Sequence, residues 1–80
     1  MRLDKYLKVS RIIKRRTIAN EACDAGRVSV NGKAARASYD VKVGDIIALS
    51  LGQSVTKYEV LLVTEHATKD SAAAMFRPVK

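Results

Sequence analysis

Between Leu3 and Ile13, apolar side chains return every three or four residues. Leu3, Tyr6, Leu7 and Ile13, with the small Ser10 among them, share one face, and Asp4, Lys8, Arg11 and Arg15 share the other. This spacing predicts an amphipathic helix over 3–13. Asp4 near its start suits the helix dipole and can pair with Lys8 at i+4. Val9 and Ile12 widen the apolar side. Thr17 is suited to cap a second helix over 18–25. Ile18, Ala22 and Ala25 would line its inner face, with Ala19 and Cys23 beside them, and Asn20, Glu21 and Asp24 its outer face. Gly26 stands where a helix leaves through a left-handed residue. Lys14-Arg15-Arg16 then forms the corner between the two helices.

After Gly26 the period changes from 3.6 to 2. Val28-Ser29-Val30 alternates and runs into Asn31-Gly32, the strongest short hairpin signal because both residues tolerate a positive φ. Lys33 to Ala37 would be the return segment. Val41-Lys42-Val43 leads to a second turn at Gly44-Asp45, Ile46 to Leu51 reads as an apolar strand, and Val55 to Thr64 as another beyond the Gly52-Gln53 turn. Residues 69–76 predict a short helix capped by Asp70 or Ser71, with Pro78 limiting its continuation. The fold class is therefore α+β: two N-terminal helices packed on a small, mostly antiparallel sheet, with a short C-terminal helix.

Composition narrows the class further. Eighty residues are read as one domain, too small for a catalytic domain beside a substrate domain. The 21 Leu, Ile, Val and Phe residues suffice for a core, but a thin one. No apolar run is long enough to span a bilayer, and the start of the chain lacks a signal-peptide core. Cys23 is alone, so no internal disulfide forms, and one Cys with one His cannot complete a zinc site. A cytoplasmic location is expected, with neither metal nor cofactor.

The placement of charge points to a partner. Residues 1–42 hold 11 basic and 4 acidic side chains, whereas residues 43–80 hold 4 of each. The whole net charge of +7 therefore belongs to the first half. Solubility does not require such one-sidedness, and a one-sided basic field attracts polyanions. The candidate contacts are Arg2, Lys5, Lys8, Arg11, Lys14, Arg15 and Arg16, with Arg27, Lys33 and Arg36 around the first hairpin extending the patch.

Chemistry beyond binding is not evident. No phosphate-binding or dinucleotide loop has the required glycine spacing. His66 lies in a polar segment without an acid–base partner in sequence, and Cys23 reads as a small buried residue. Among the aromatics, Tyr6 belongs to the core, and only Tyr39 stands in a loop where a base could stack. Reading by phosphate and shape is expected rather than by single-strand stacking, which suits structured RNA. A helix-turn-helix DNA binder is the alternative from another class. Glu21 and Asp24 on the outer face of the second helix oppose it, because they would face phosphates. A membrane-surface helix would need the apolar face that the core requires.

The order Arg2-Leu3-Asp4-Lys5, Ser10-Arg11, Gly26-Arg27-Val28-x-Val30-Asn31-Gly32 and Gly44-Asp45-Ile46 resembles the alpha-L RNA-binding domain, first named from a small-subunit ribosomal protein (S-four type). The likeness gives an organisation of one RNA-binding domain over 1–80, with an alpha-L core over 1–50 and a strand and helix extension over 51–80. Arg-Leu-Asp-Lys at the start, Lys-Arg-Arg at the corner and the tail Ser71-Ala72-Ala73-Ala74-Met75 are most similar to the free-standing RqcP family. That family is related to the fifteen-kilodalton heat-shock protein, whose longer basic C-terminal extension has no counterpart here. The resemblance implies a non-enzymatic factor of ribosome-associated quality control. It would bind large ribosomal subunits blocked by peptidyl-tRNA, touching rRNA and tRNA. Its partner would be the NFACT-family protein RqcH, which adds alanine to the stalled chain. Arg2 and Arg16 match family positions expected to contact RNA. Ribosome assembly, or another role on structured RNA, is the alternative within this class, and a monomer is expected.

Overall fold

The computed structural model describes residues 1–79 and contains three helices and five strands among them. Helix α1 spans Leu3–Val9 and α2 spans Arg16–Asp24. Strands β1 (Val28–Val30), β2 (Lys33–Ala34), β3 (Ile46–Leu51) and β4 (Ser54–Val60) follow. Helix α3 (Lys69–Ala73) precedes the last strand, β5 (Phe76–Val79). The strands form one antiparallel sheet in the order β2-β1-β3-β4-β5.

The alternation read from the sequence sets the sheet. Val28 and Val30 are buried and Ser29 between them is not, and Ile47 and Leu49 repeat the pattern on β3. Asn31 and Gly32 have φ of 54° and 84°, as the two-residue hairpin turn demands, and Val30 faces Lys33 across it. The Asn31 amide also donates to Asp45 Oδ1 at 3.1 Å, and Asn31 Oδ1 accepts from the Ile46 N–H at 3.0 Å. The Asn31-Gly32 and Gly44-Asp45 turns are thus pinned to each other.

Leu3, Tyr6 and Leu7 of α1, with Ala19 and Cys23 of α2, complete a core that also takes in Val60 and Met75. Full burial of each large aliphatic side chain contributes about 1.5–3 kcal/mol. Tyr6 is wholly buried, and its hydroxyl donates to the Met75 carbonyl at 2.8 Å, tying the first helix to the tail. The start of α1 is fixed as well: its Leu3 N–H donates to the Tyr39 carbonyl at 2.8 Å and its Asp4 N–H to the Ala37 carbonyl at 3.2 Å.

Several boundaries differ from those expected. Helix α1 ends at Val9 rather than at 13, because Arg11 turns into the left-handed region at φ 64°. Helix α2 begins at Arg16 without a side-chain cap, so Thr17 lies inside it, and its buried face is Ala19 and Cys23, while Ile18 is half exposed. The return strand stops at Ala34, and β4 stops at Val60. Leu61 and Leu62 instead donate their N–H groups to the Met75 carbonyl. Thr68 caps α3, with Ser71 completing a reciprocal capping box. Phe76 belongs not to that helix but to β5, an edge strand where Pro78 costs no ladder bond on its solvent side.

Candidate nucleic-acid interface

The first turn of α1 and the first turn of α2 meet at one carboxylate. Asp4 is 2% exposed, whereas Arg2 and Arg16 beside it are half exposed. Oδ1 of Asp4 accepts from Arg2 Nε at 3.2 Å and from the Lys5 N–H at 2.8 Å. Oδ2 accepts from Arg2 Nη2 at 3.4 Å and from Asn20 Nδ2 at 3.3 Å, and Arg16 Nε stands 3.5 Å away. Burial by itself raises the pKa of the Asp4 carboxyl. The hydrogen bonds from Arg2, Asn20 and the Lys5 N–H, with the Arg16 charge, outweigh it and hold the group below its ordinary value. Asp4 is therefore not on the solvated face with Lys8, Arg11 and Arg15, and it does not pair with Lys8. What buries it is α2, whose Arg16 and Asn20 close over the first turn of α1.

A second cluster lines a groove of about 570 Å³ formed by Lys8, Val9, Arg11 and Lys14 with Glu65, His66 and Ala67. Lys5 reaches toward the same loop, with its Nζ 3.6 Å from Glu65 Oε1. Arg11 carries its side chain from a left-handed backbone that closes α1, its N–H donating to the Lys8 carbonyl at 3.1 Å. Arg15 is exposed at the entry to α2, between the two clusters in sequence.

The remaining predicted cations join neither cluster. Arg27 lines a third, mostly apolar groove with Ile12, Ile13 and Ile18. Lys33 is exposed on the edge strand β2. Arg36 is exposed between the buried Ala35 and Ala37, one residue from the carbonyl that receives the Asp4 N–H. The predicted cations thus line different grooves. Asn20 and the Glu65–Ala67 loop were not anticipated. Asn20 follows Arg16 by one helical turn, which is a usable signal, whereas no local pattern announces the loop.

Burial first, then the negative charges of Asp4 and Asp24, pushes the Cys23 thiol up to about 11, so it stays protonated. Tyr39 is partly exposed and donates to Asp45 Oδ2 at 3.4 Å.

Residues 1–47 match the S4 domain, a stretch that contains all ten predicted cations. The RQC P-site tRNA stabilizing factor of Bacillus subtilis is 49% identical over 80 residues, spanning 100% of this chain and 93% of the relative. That of Streptococcus pneumoniae is 50% identical over 76 residues, covering 95% of this chain and 86% of the relative. The chain belongs to the S4 domain family, in the group of these factors.

Its whole architecture is shared with a more distant member. The trimeric structure of Vibrio cholerae heat shock protein 15 superposes with a TM-score of 0.89 at 28% identity, covering 99% of this chain and 81% of the other. In this S4 domain the Asp4 hub and the basic wall of the groove, Lys8, Arg11 and Lys14, lie within the matched stretch, whereas its other wall, Glu65 to Ala67, lies beyond it.

Proposed function

We propose that this chain is a non-catalytic RNA-binding factor of ribosome-associated quality control. It engages large ribosomal subunits obstructed by peptidyl-tRNA and contacts both rRNA and tRNA. The observation that carries the reading is full-length likeness to proteins named for stabilizing P-site tRNA, and the exposed arginine pair on Asp4 gives it a physical means.

Arg2 meets Asp4 through Nε and Nη2 and Arg16 through Nε alone, which leaves Arg2 Nη1 and the terminal nitrogens of Arg16 to face solvent or phosphate. A guanidinium suits this task because its planar fork matches phosphate oxygens and stays charged at any physiological pH. Lys8, Arg11 and Lys14 supply a second anion-binding group on the same short helix and its exit. In this reading one group holds tRNA and the other rRNA, with α1 as the rigid tie. A factor that binds one tRNA position better than others shifts the population toward it, with no chemical step of its own. The held tRNA then serves repeated additions of alanine by RqcH. The working form is a monomer in the cytoplasm, bound to the ribosome. Among the described residues, no helix is long and apolar enough to cross a membrane.

Co-sedimentation tests the reading. Wild-type chain is expected to pellet with large subunits carrying peptidyl-tRNA, in preference to empty ones, and Arg16→Ala to remain largely in the supernatant while still folded. Each lost phosphate contact should also reduce the slope of log K against log salt by about 0.7–0.9. Equal pelleting of both proteins would contradict the proposal. Recovery of small-subunit assembly intermediates in place of obstructed large subunits would move the function to ribosome assembly.

A further inference from the structure

Asp4 is the one acidic side chain buried in the described core, and it sits at the centre of the most basic part of the chain. A negative charge there weakens the attraction for any polyanion, and taking a carboxylate out of water is costly unless donors surround it. Here the donors come from three places. Arg2 precedes α1, Lys5 offers its backbone N–H within α1, and Asn20 belongs to α2, from which Arg16 adds an ion-pair contact at 3.5 Å. No RNA phosphate can use Asp4 itself, because the group is buried and of the same sign. What it does reach are Nε and Nη2 of Arg2 and Nε of Arg16, two arginines whose side chains remain half exposed.

We propose that Asp4 is a positioning residue, which fixes the guanidinium groups of Arg2 and Arg16 in a preset arrangement that receives RNA phosphate. An arginine free in solvent samples many rotamers and loses that freedom on binding. A pair already held loses less, and presents its donors at a defined spacing. Asn20 serves the same carboxylate from one turn behind Arg16, keeping the hub attached to α2. This rests on the RNA-binding reading above.

The substitution Asp4→Asn separates positioning from charge, because the two predict opposite signs. It raises the formal net charge from +7 to +8, so charge alone predicts tighter binding to every polyanion. Positioning predicts binding to purified tRNA weakened about tenfold, the scale of one well-placed charged contact, with binding to heparin equal or tighter. In the Arg2→Ala/Arg16→Ala background the same substitution should change tRNA affinity no further, as a double-mutant cycle demands for groups acting as a unit.

Relaxation of arginine Nε–H signals in the unmodified free protein removes any dependence on the variant's folding. Arg2 and Arg16 should be ordered, and Arg15 mobile. If wild type fails to bind tRNA, the RNA-binding reading itself falls. If wild type binds and Asp4→Asn binds tRNA equally or more tightly, or if Arg2 and Arg16 are as mobile as Arg15, the positioning role alone is overturned.

Discussion

Asp4 shows how one residue can serve stability and recognition together. Its carboxylate is ionised in the folded chain at pH values where it would be partly protonated in the unfolded one, because four hydrogen bonds and the Arg16 charge converge on it. The folded-state pKa lies below the ordinary value near 3.8. Its stabilising contribution is therefore fully present above that value and is lost as pH falls through the lowered one. Urea midpoints measured from about pH 5 down to about pH 3 should drop for the wild-type chain, and less steeply for Asp4→Asn. Asp40, whose pKa is lowered by its hydrogen bond to the Met1 ammonium and by that charge, leaves a residual acid dependence in the variant. An identical slope in the two proteins would contradict the account of the Asp4 hub. The sequence placed Asp4 on the wrong face because helical spacing alone cannot register that Arg2 and Arg16, from either side, converge on it.

At the scale of elements, the exit of α1 sets two demands on one position. Arg11 has φ 64°, a conformation that disfavours any residue with a Cβ, yet it lines the Lys8–Lys14 groove. A left-handed arginine costs about 1–2 kcal/mol, part of which a glycine returns as extra freedom of the unfolded chain. Arg11→Gly should therefore stabilise the fold by roughly 0.5–1 kcal/mol in urea denaturation. It should also weaken tRNA binding and reduce the salt slope by about 0.7–0.9. A variant that is both less stable and an equal binder would contradict both assignments. This same residue explains why apolar spacing overstates the length of the helix: Ile12 and Ile13 continue the spacing, and nothing in an Arg announces a positive φ. Where the local chemistry is unambiguous, the reading was close. Asn31-Gly32 marked its turn, and Ile46–Leu51 matches β3 end to end. Strand β5 escaped notice because Pro78 discourages a strand anywhere but at an edge, and edge position is a property of the assembled sheet.

For the whole molecule, the order of two helices and an antiparallel sheet was legible because the hydrophobic period changes from helical to alternating at Gly26, and Gly26 has the left-handed φ of 75° expected there. The basic bias of the first half was legible too. Which cations line which groove was not: Arg2 with Arg16, Lys8 with Arg11 and Lys14, and Arg27 in a third are groupings of three-dimensional packing. The later half contributes through the Glu65–Ala67 loop, which walls the second cluster, and through the Tyr6–Met75 hydrogen bond, which holds α1 to the tail.

The central claim is that the face built on α1 and the start of α2 is what meets folded RNA. Titration of isotope-labelled chain with purified tRNA, followed by amide chemical-shift mapping, addresses it residue by residue. The account predicts that the largest changes fall on Arg2–Lys5, on Lys8–Arg16 and on the Glu65–Ala67 loop, with the outer β4–β5 edge unmoved. Changes concentrated on Thr56–Lys57 and Arg77–Val79, with the two basic clusters silent, would contradict it.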